Sequence, residues 1–262
     1  MTSQQDRKDQ APDDLTQPEM PLIEHLLELR NRLLKMVLAV LICFAAIYPF
    51  ANELYLWVSE PLRSLLPVGQ TMIATDVTSP FFAPLKLALV LAVFVAIPVI
   101  LYQLWSFIAP GLYAHEKRLA FPLLFTSIIL FYLGAAFAYF VVFPLVFGFF
   151  TAVGPEGIVE LPDISSYLNF VLKMFFAFGV AFEIPIATIL LIVSGATTPQ
   201  DLAKKRPYIV VGCFVIGMLL TPPDIISQTL LALPMWVLFE LGILFGRLAQ
   251  RETQEAEDAP EP

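Results

Sequence analysis

The sequence predicts an all-α integral membrane protein of six spanning helices with both termini on the cytoplasmic side. Three observations carry that prediction. Hydrophobic residues make up 58% of the 262-residue chain and charged ones only 15%, too few to cover the apolar surface of a soluble domain. The apolar residues are gathered into long runs, and a spanning helix needs roughly 20 of them. The basic residues fall almost entirely in alternate connections, the pattern that sets orientation in a bilayer.

Four runs meet the length requirement with room to spare: about 33–56, 85–109, 119–150 and 167–194. Two more are short, about 208–221 and 227–245, the second with Glu240 inside it. Between them stands Thr221-Pro222-Pro223-Asp224, where paired prolines end one helix and Asp224 can cap the next. The pair therefore reads as a short helical hairpin. The first run follows about thirty polar residues and has no small-residue cleavage site, so it is expected to be a retained span. Residues 1–20 and 249–262 hold much of the acid behind the formal charge of −8. Both are expected to be disordered, solvated tails, leaving residues 21–248 as the membrane domain. Residues 57–84 carry Pro61, Pro67, Pro80 and Pro84; they suit an ordered cap over the helix ends, with a possible extended piece at 71–75.

With six spans, one membrane side collects Arg7, Lys8, Arg30, Arg32, Lys35, Lys117, Arg118, Lys204, Lys205, Arg206, Arg247 and Arg251, which is 12 of the 15 basic residues. An odd number of spans scrambles that division. Cys43 and Cys213 lie in apolar runs and read as small buried hydrophobes. The histidines are His25 and His115 alone, so no metal cluster is expected, and no cofactor is called for. No catalytic triad, zinc-protease motif or phosphate-cradling glycine loop is present, which leaves no basis for an enzyme.

Glu28 precedes the first span and Glu116 lies in the turn between the second and third, so the charge pattern puts both acids on one membrane face. Glu28 can pair with Arg32 at i, i+4, and alone each reads equally as a solvated surface acid. The break at Pro110-Gly111 would hold Glu116 rigidly, and a carboxylate so held can accept two hydrogen bonds from a guanidinium. Glu183 lies deep in the fourth span, where an ionised side chain costs roughly 2.5–3.5 kcal/mol. It needs a partner, a watery groove or a proton. Lys173, ten residues earlier, falls off that face and snorkels away from it. Thr221, Gln228 and Thr229 put polar groups around the tip of the hairpin, either to bond across helices or to satisfy the broken backbone.

Several segments together resemble the TatC family, the multi-spanning subunit of the Sec-independent twin-arginine translocase. They are Leu26-Leu27-Glu28-Leu29-Arg30-Asn31-Arg32, Ser79-Pro80-Phe81-Phe82, Ile108-Ala109-Pro110-Gly111-Leu112 through Glu116, Lys204-Lys205-Arg206-Pro207 and Leu220-Thr221-Pro222-Pro223-Asp224. The resemblance runs from about Met20 to Leu248 and implies a cupped bundle in a bacterial inner membrane. It implies that Glu28 and Glu116, with Arg30 and Phe107, receive the twin arginines of a signal peptide. Glu183, Pro61 and Asp224 would serve transport, while Thr221, Gln228 and Met218 would dock TatB or TatA. Self-association in a TatBC complex and a drive from the proton-motive force follow, with no nucleic acid involved. Ala114 and Lys117 depart from the basic residue and the arginine that some relatives carry. The alternative is a proton-coupled secondary transporter of a small solute, with Glu183 as its ion site.

Overall fold

A chain whose apolar residues surround each helix on all sides must bury them in lipid or in other helices, and this one does both. The computed structural model describes residues 22–64, 71–108, 117–153, 161–220 and 225–257. Among these the only β pairing is a single bridge, Ile73 to Asp163. Five helical rods are long and apolar enough to cross a membrane, and Arg206–Leu220 is a shorter apolar helix. The predicted fold class of six apolar helices is therefore found, with boundaries that differ in instructive ways.

Helix α1, Leu22–Ile47, begins eleven residues before the apolar run does, because Glu28, Arg30 and Arg32 are good helix formers. It packs on α4, Ser79–Ile108, and turns the rest of its surface outward: Leu34, Leu38 and Ile42 are 54–62% exposed. A 3₁₀ turn at Tyr48–Phe50 with Pro49 leads into α2, Ala51–Val58, and α3, Glu60–Arg63. α4 starts six residues earlier than expected and carries Pro84 and Pro98 within it.

The third span is α5, Lys117–Phe137, and α6, Phe143–Val153, joined by a π-helical segment at Ala138–Val142. Pro144, just beyond it, has no N–H to return to the preceding turn, and a π segment is one way a helix absorbs that loss. Tyr139 on this segment stacks on Trp57, with ring centroids 4.8 Å apart, and donates to the Trp57 carbonyl at 3.1 Å. The fourth span is broken: α7 is Ile164–Ala181 and α8 is Ile184–Val193. Pro185 again supplies no N–H, and the Glu183 amide bonds three residues back to Val180 at 3.0 Å.

The core lies between α4, α5, α6 and α7. Phe94 meets Phe131 and Phe175 edge-on at 5.1 and 5.8 Å, and Phe143, Phe178, Leu168 and Met174 are fully enclosed. α5 and α7 approach closely because of two glycines. A Cβ on Gly179 would stand 2.7 Å from the Phe131 ring, and one on Gly134 would stand 2.5 Å from the Phe178 carbonyl oxygen. Small residues at helix crossings are what lipid-embedded packing requires.

At one end of this core a polar cap ties 71–78 to the start of α7. The Asp163 side chain accepts from the Ser166 amide at 2.8 Å, the Thr75 amide at 3.1 Å and the Thr75 hydroxyl at 2.8 Å. Those donors, the Ser166 amide foremost, hold the Asp163 carboxyl well below the usual range. Tyr167 donates to the Val58 carbonyl at 2.9 Å and Ser165 to Ser79 at 2.7 Å.

After α8, Gly195 takes φ +69°, the left-handed turn glycine adopts freely, and α9, Pro199–Lys204, follows. α10 is Arg206–Leu220 and α11 is Ile225–Glu257. At 1.5 Å per residue α10 is about 22 Å long, short of a hydrocarbon core of about 30 Å. α11 corrects the sequence reading twice: the sixth span, expected to be short at about 227–245, is part of one 33-residue helix. The tail expected to be disordered from residue 249 is helical as far as Glu257, in keeping with its run of Ala, Gln, Arg and Glu. Residues 1–20 lie outside the described residues.

Candidate functional site

The Glu28–Arg32 stretch of α1 carries charge, and through Arg32 it meets the last turns of α4. A helix leaves its last four carbonyls without partners, and a cation there is favoured by the helix dipole. Arg32 fills that role: its guanidinium donates to the carbonyl of Ser106 at 3.1 Å, with a weaker contact to that of Gln103 at 3.5 Å. The same guanidinium donates through Nε to Glu28 Oε1 at 3.0 Å, and through Nη2 to the same oxygen. Arg32 keeps only 16% of its side-chain surface exposed, against 41% for Glu28. One arginine therefore anchors the carboxylate to the end of α4 and uses a single oxygen to do so. An ionised carboxylate has capacity for further donors, and Glu28 is half-open to them.

Phe107, half-buried, follows the carbonyls that Arg32 holds, so it and Glu28 belong to one locality. Arg30 does not join them. Two residues along a helix turn the side chain by about 200°, and Arg30 is exposed on the side away from Glu28. Glu116 lies outside the described residues, as do Thr221 and Asp224.

Glu183 occupies the break between α7 and α8. Ser127 of α5 donates its hydroxyl to Glu183 Oε2, while Oε1 is buried and accepts no hydrogen bond among the described residues. A buried polar atom left in that state is costly, so the site favours any donor that reaches it. Ser127 was not singled out in the sequence. Its neighbour Thr126 bonds back to its own helix at Pro122, 2.9 Å away, the commoner behaviour of such hydroxyls. Sequence cannot say which of the two does otherwise.

A second unforeseen pair joins α10 to α11. Arg206 donates through Nε and Nη2 to the two oxygens of Glu240, each at 2.7 Å, a bidentate fork. An acid such as Glu240 in an apolar run needs a partner, but Arg206 lies 34 residues away, too far for spacing along one helix to pair them.

α10 packs closely against the start of the longer α11. A Cβ on Gly217 would stand 3.4 Å from the Gln228 carbonyl oxygen, with Gln228 half-buried in the first turn of α11. Met218, 52% exposed, points outward. An apolar cleft of about 250 Å³ between Cys213, Phe214, Thr229 and Trp236 runs beside it. Pro61 opens α3 near its first position, where its missing N–H is no loss.

Residues 24–234 match the family model described as Sec-independent protein translocase protein (TatC). A protein described as Sec-independent protein translocase protein TatC from Azotobacter chroococcum mcd 1 is 60% identical over 243 residues, covering 92% of this chain and 95% of the relative. The protein of the same description from Escherichia coli (strain K12) is 59% identical over 227 residues, covering 87% and 88%. Among solved structures, one described as the twin arginine translocase receptor TatC superposes with a TM-score of 0.77 at 42% identity, covering 86% of this chain and 99% of that one. The same receptor in DDM gives a TM-score of 0.76 over 85% and 99%.

Proposed function

Because the chain belongs to the TatC family and is a membrane component of the Sec-independent protein translocase, we propose that it is the receptor core of that machine. In this reading it binds twin-arginine signal peptides together with TatB and recruits TatA to export folded proteins. It sits in a bacterial inner membrane with both termini cytoplasmic and draws on the proton-motive force.

The observation that carries the reading is the Arg32 anchor. Glu28 is held against the end of α4 through one oxygen and stays 41% exposed. A fixed, half-open carboxylate suits an incoming guanidinium, whose planar fork lysine cannot reproduce. Phe107 in the same locality offers an apolar edge beside the polar contact. Glu116, with the second carboxylate, completes the pair on this reading. The apolar part of the signal peptide then lies along the bundle towards Glu183 and Ser127. The short α10 supports local thinning of the bilayer, a route for folded cargo that needs no fixed pore. Thr221, Gln228 and Met218 serve as the docking residues for TatB and TatA, while Pro61 and Asp224, with Glu183, serve transport. Family membership favours protein over the small solute of the alternative reading.

The test is photo-crosslinking of a twin-arginine signal peptide to Glu28→Lys, Glu116→Lys and the double variant, each verified as membrane-inserted. Crosslinking should be lost in all three. Undiminished crosslinking in the double variant would remove the receptor assignment, and solute uptake into liposomes by the purified chain would put the transporter in its place.

A further inference from the structure

α4 and α7 run side by side from the capped end, and two lysines on them stand beside the same groove. Lys86 of α4 donates to the side-chain carbonyl of Asn169 on α7. Lys173 follows Asn169 by four residues, hence on the same helix face. All three are exposed, and none of the described residues places a carboxylate within 4.0 Å of either ammonium. They share an open groove of about 690 Å³, whose remaining wall is apolar, from Val90 and Phe176 past Val180 to Ile184.

Three features fix what such a groove accepts. Its polar end is made of donors. An Asn169 amide that accepts from Lys86 through its oxygen has its NH₂ left to donate, so two ammoniums and an amide line the same groove. That is a site for an anion with several oxygens. The rest is a trough, about 22 Å from Asn169 to Ile184 at 1.5 Å per helical residue, against about 15 Å for one leaflet of a bilayer's hydrocarbon core. Finally, Leu220, the last residue of the short α10, lines the same groove. The lysines lie about 10 Å and 14 Å inside the starts of α4 and α7, a depth at which a bare ammonium is costly. They are thus set below the ends of the long helices, on the side where α10 stops short.

We propose that this groove is a phospholipid site. The headgroup phosphate is held by Lys86, Asn169 and Lys173, and one acyl chain lies along Phe176, Val180 and Ile184. A lipid seated there would hold the leaflet surface down beside the end of α10. The site is independent of the receptor reading, requiring only that the bundle is in a bilayer. The two ammoniums also disfavour a cationic peptide at this end of the groove.

Native mass spectrometry of the delipidated full-length chain, titrated with phosphatidylglycerol or with diacylglycerol of the same tails, tests it. Phosphatidylglycerol should bind as one tight equivalent and diacylglycerol far more weakly. A lysine beside an anionic headgroup contributes roughly fivefold in affinity, so Lys86→Gln and Lys173→Gln should each weaken the tight equivalent by roughly that factor and the double variant by roughly 25-fold. Val180→Trp, which fills the trough and spares the donors, should also weaken it, and Lys205→Gln should not. Unchanged thermal midpoints without lipid verify that the variants are folded. Equal binding to the double variant, equal binding of diacylglycerol, full displacement by inorganic phosphate, or an equal loss in Lys205→Gln would each overturn the proposal.

Discussion

Arg32 is the residue whose replacement separates two physical accounts of the Glu28 site. If Arg32 acts only as a charge, it competes with an incoming guanidinium, and removing it tightens binding. At roughly 7 Å in water two unit charges repel by about 0.6 kcal/mol, less after salt screening. If Arg32 acts as an anchor, its loss frees the Glu28 side chain, and ordering such a side chain again costs up to about 1.5–2 kcal/mol. The guanidinium reaches Glu28 and the Ser106 carbonyl together, which favours the anchor by about 1 kcal/mol, or roughly fivefold in affinity. Arg32→Gln should therefore bind a twin-arginine peptide roughly fivefold more weakly. Arg32→Lys should be no better, since it keeps the repulsion and loses the fork. Folding should suffer too. A partly buried cation at a helix end contributes about 1 kcal/mol, and the half-exposed ion pair adds only about 0.5 kcal/mol. Fluorescence anisotropy with a labelled signal peptide, run at two salt concentrations beside thermal unfolding in detergent, measures both effects. Wild-type affinity in Arg32→Lys with tighter binding in Arg32→Gln would refute the anchor.

Other expectations follow from packing and charge. A Cβ on Gly242 would stand 2.8 Å from the Thr188 Cβ and 2.9 Å from the Pro185 Cα, so Gly242→Ala should destabilise by about 1–3 kcal/mol through overpacking of α11 on α8. Gly212→Ala has nothing within 4 Å of the new methyl and should be neutral or stabilising in the same thermal assay; equal losses would mean the α8–α11 contact is not what limits stability. For the fork between α10 and α11, Arg206→Glu and Glu240→Arg should each lower the thermal midpoint. The charge-swapped double variant should recover most of the loss, and no recovery would show that the pair does not couple the helices. The Asp163 carboxyl is depressed in the folded chain, so its contribution is present above the unfolded value near 3.9 and fades as pH falls below it. Hydrogen exchange at residues 73–78 should accelerate in that acid range, and Asp163→Asn should exchange rapidly at neutral pH already; matching profiles for the two proteins would exclude Asp163 as the cap's anchor.

The outline of the bundle was legible because its cause is local. Spans announce themselves by apolar length, and the Pro222-Pro223 break separates α10 from α11 whatever the rest of the chain does. The i, i+4 spacing made the Glu28–Arg32 pair visible in the same way. Boundaries were less legible where polar residues form helix as well as apolar ones do, as at both ends: α1 starts at Leu22 and α11 runs to Glu257. The two prolines that reshape the third and fourth spans were in view, yet whether each gives a π segment, a kink or a straight helix depends on what packs against it.

By itself the sequence determined the class, the number of apolar helices, the acids worth watching and the shortness of the fifth helix, because hydropathy and backbone hydrogen bonding in lipid are properties of each segment alone. Only the tertiary structure decided the partners. It set Arg32 against the carbonyls of α4, gave Glu183 to Ser127 rather than leaving Thr126 to reach it, paired Arg206 with Glu240, and placed Lys86 beside Asn169 and Lys173. A side chain's partner depends on which helix faces lie within a few ångströms, and residues 34 to 83 positions apart in the chain reach that distance only when the helices pack.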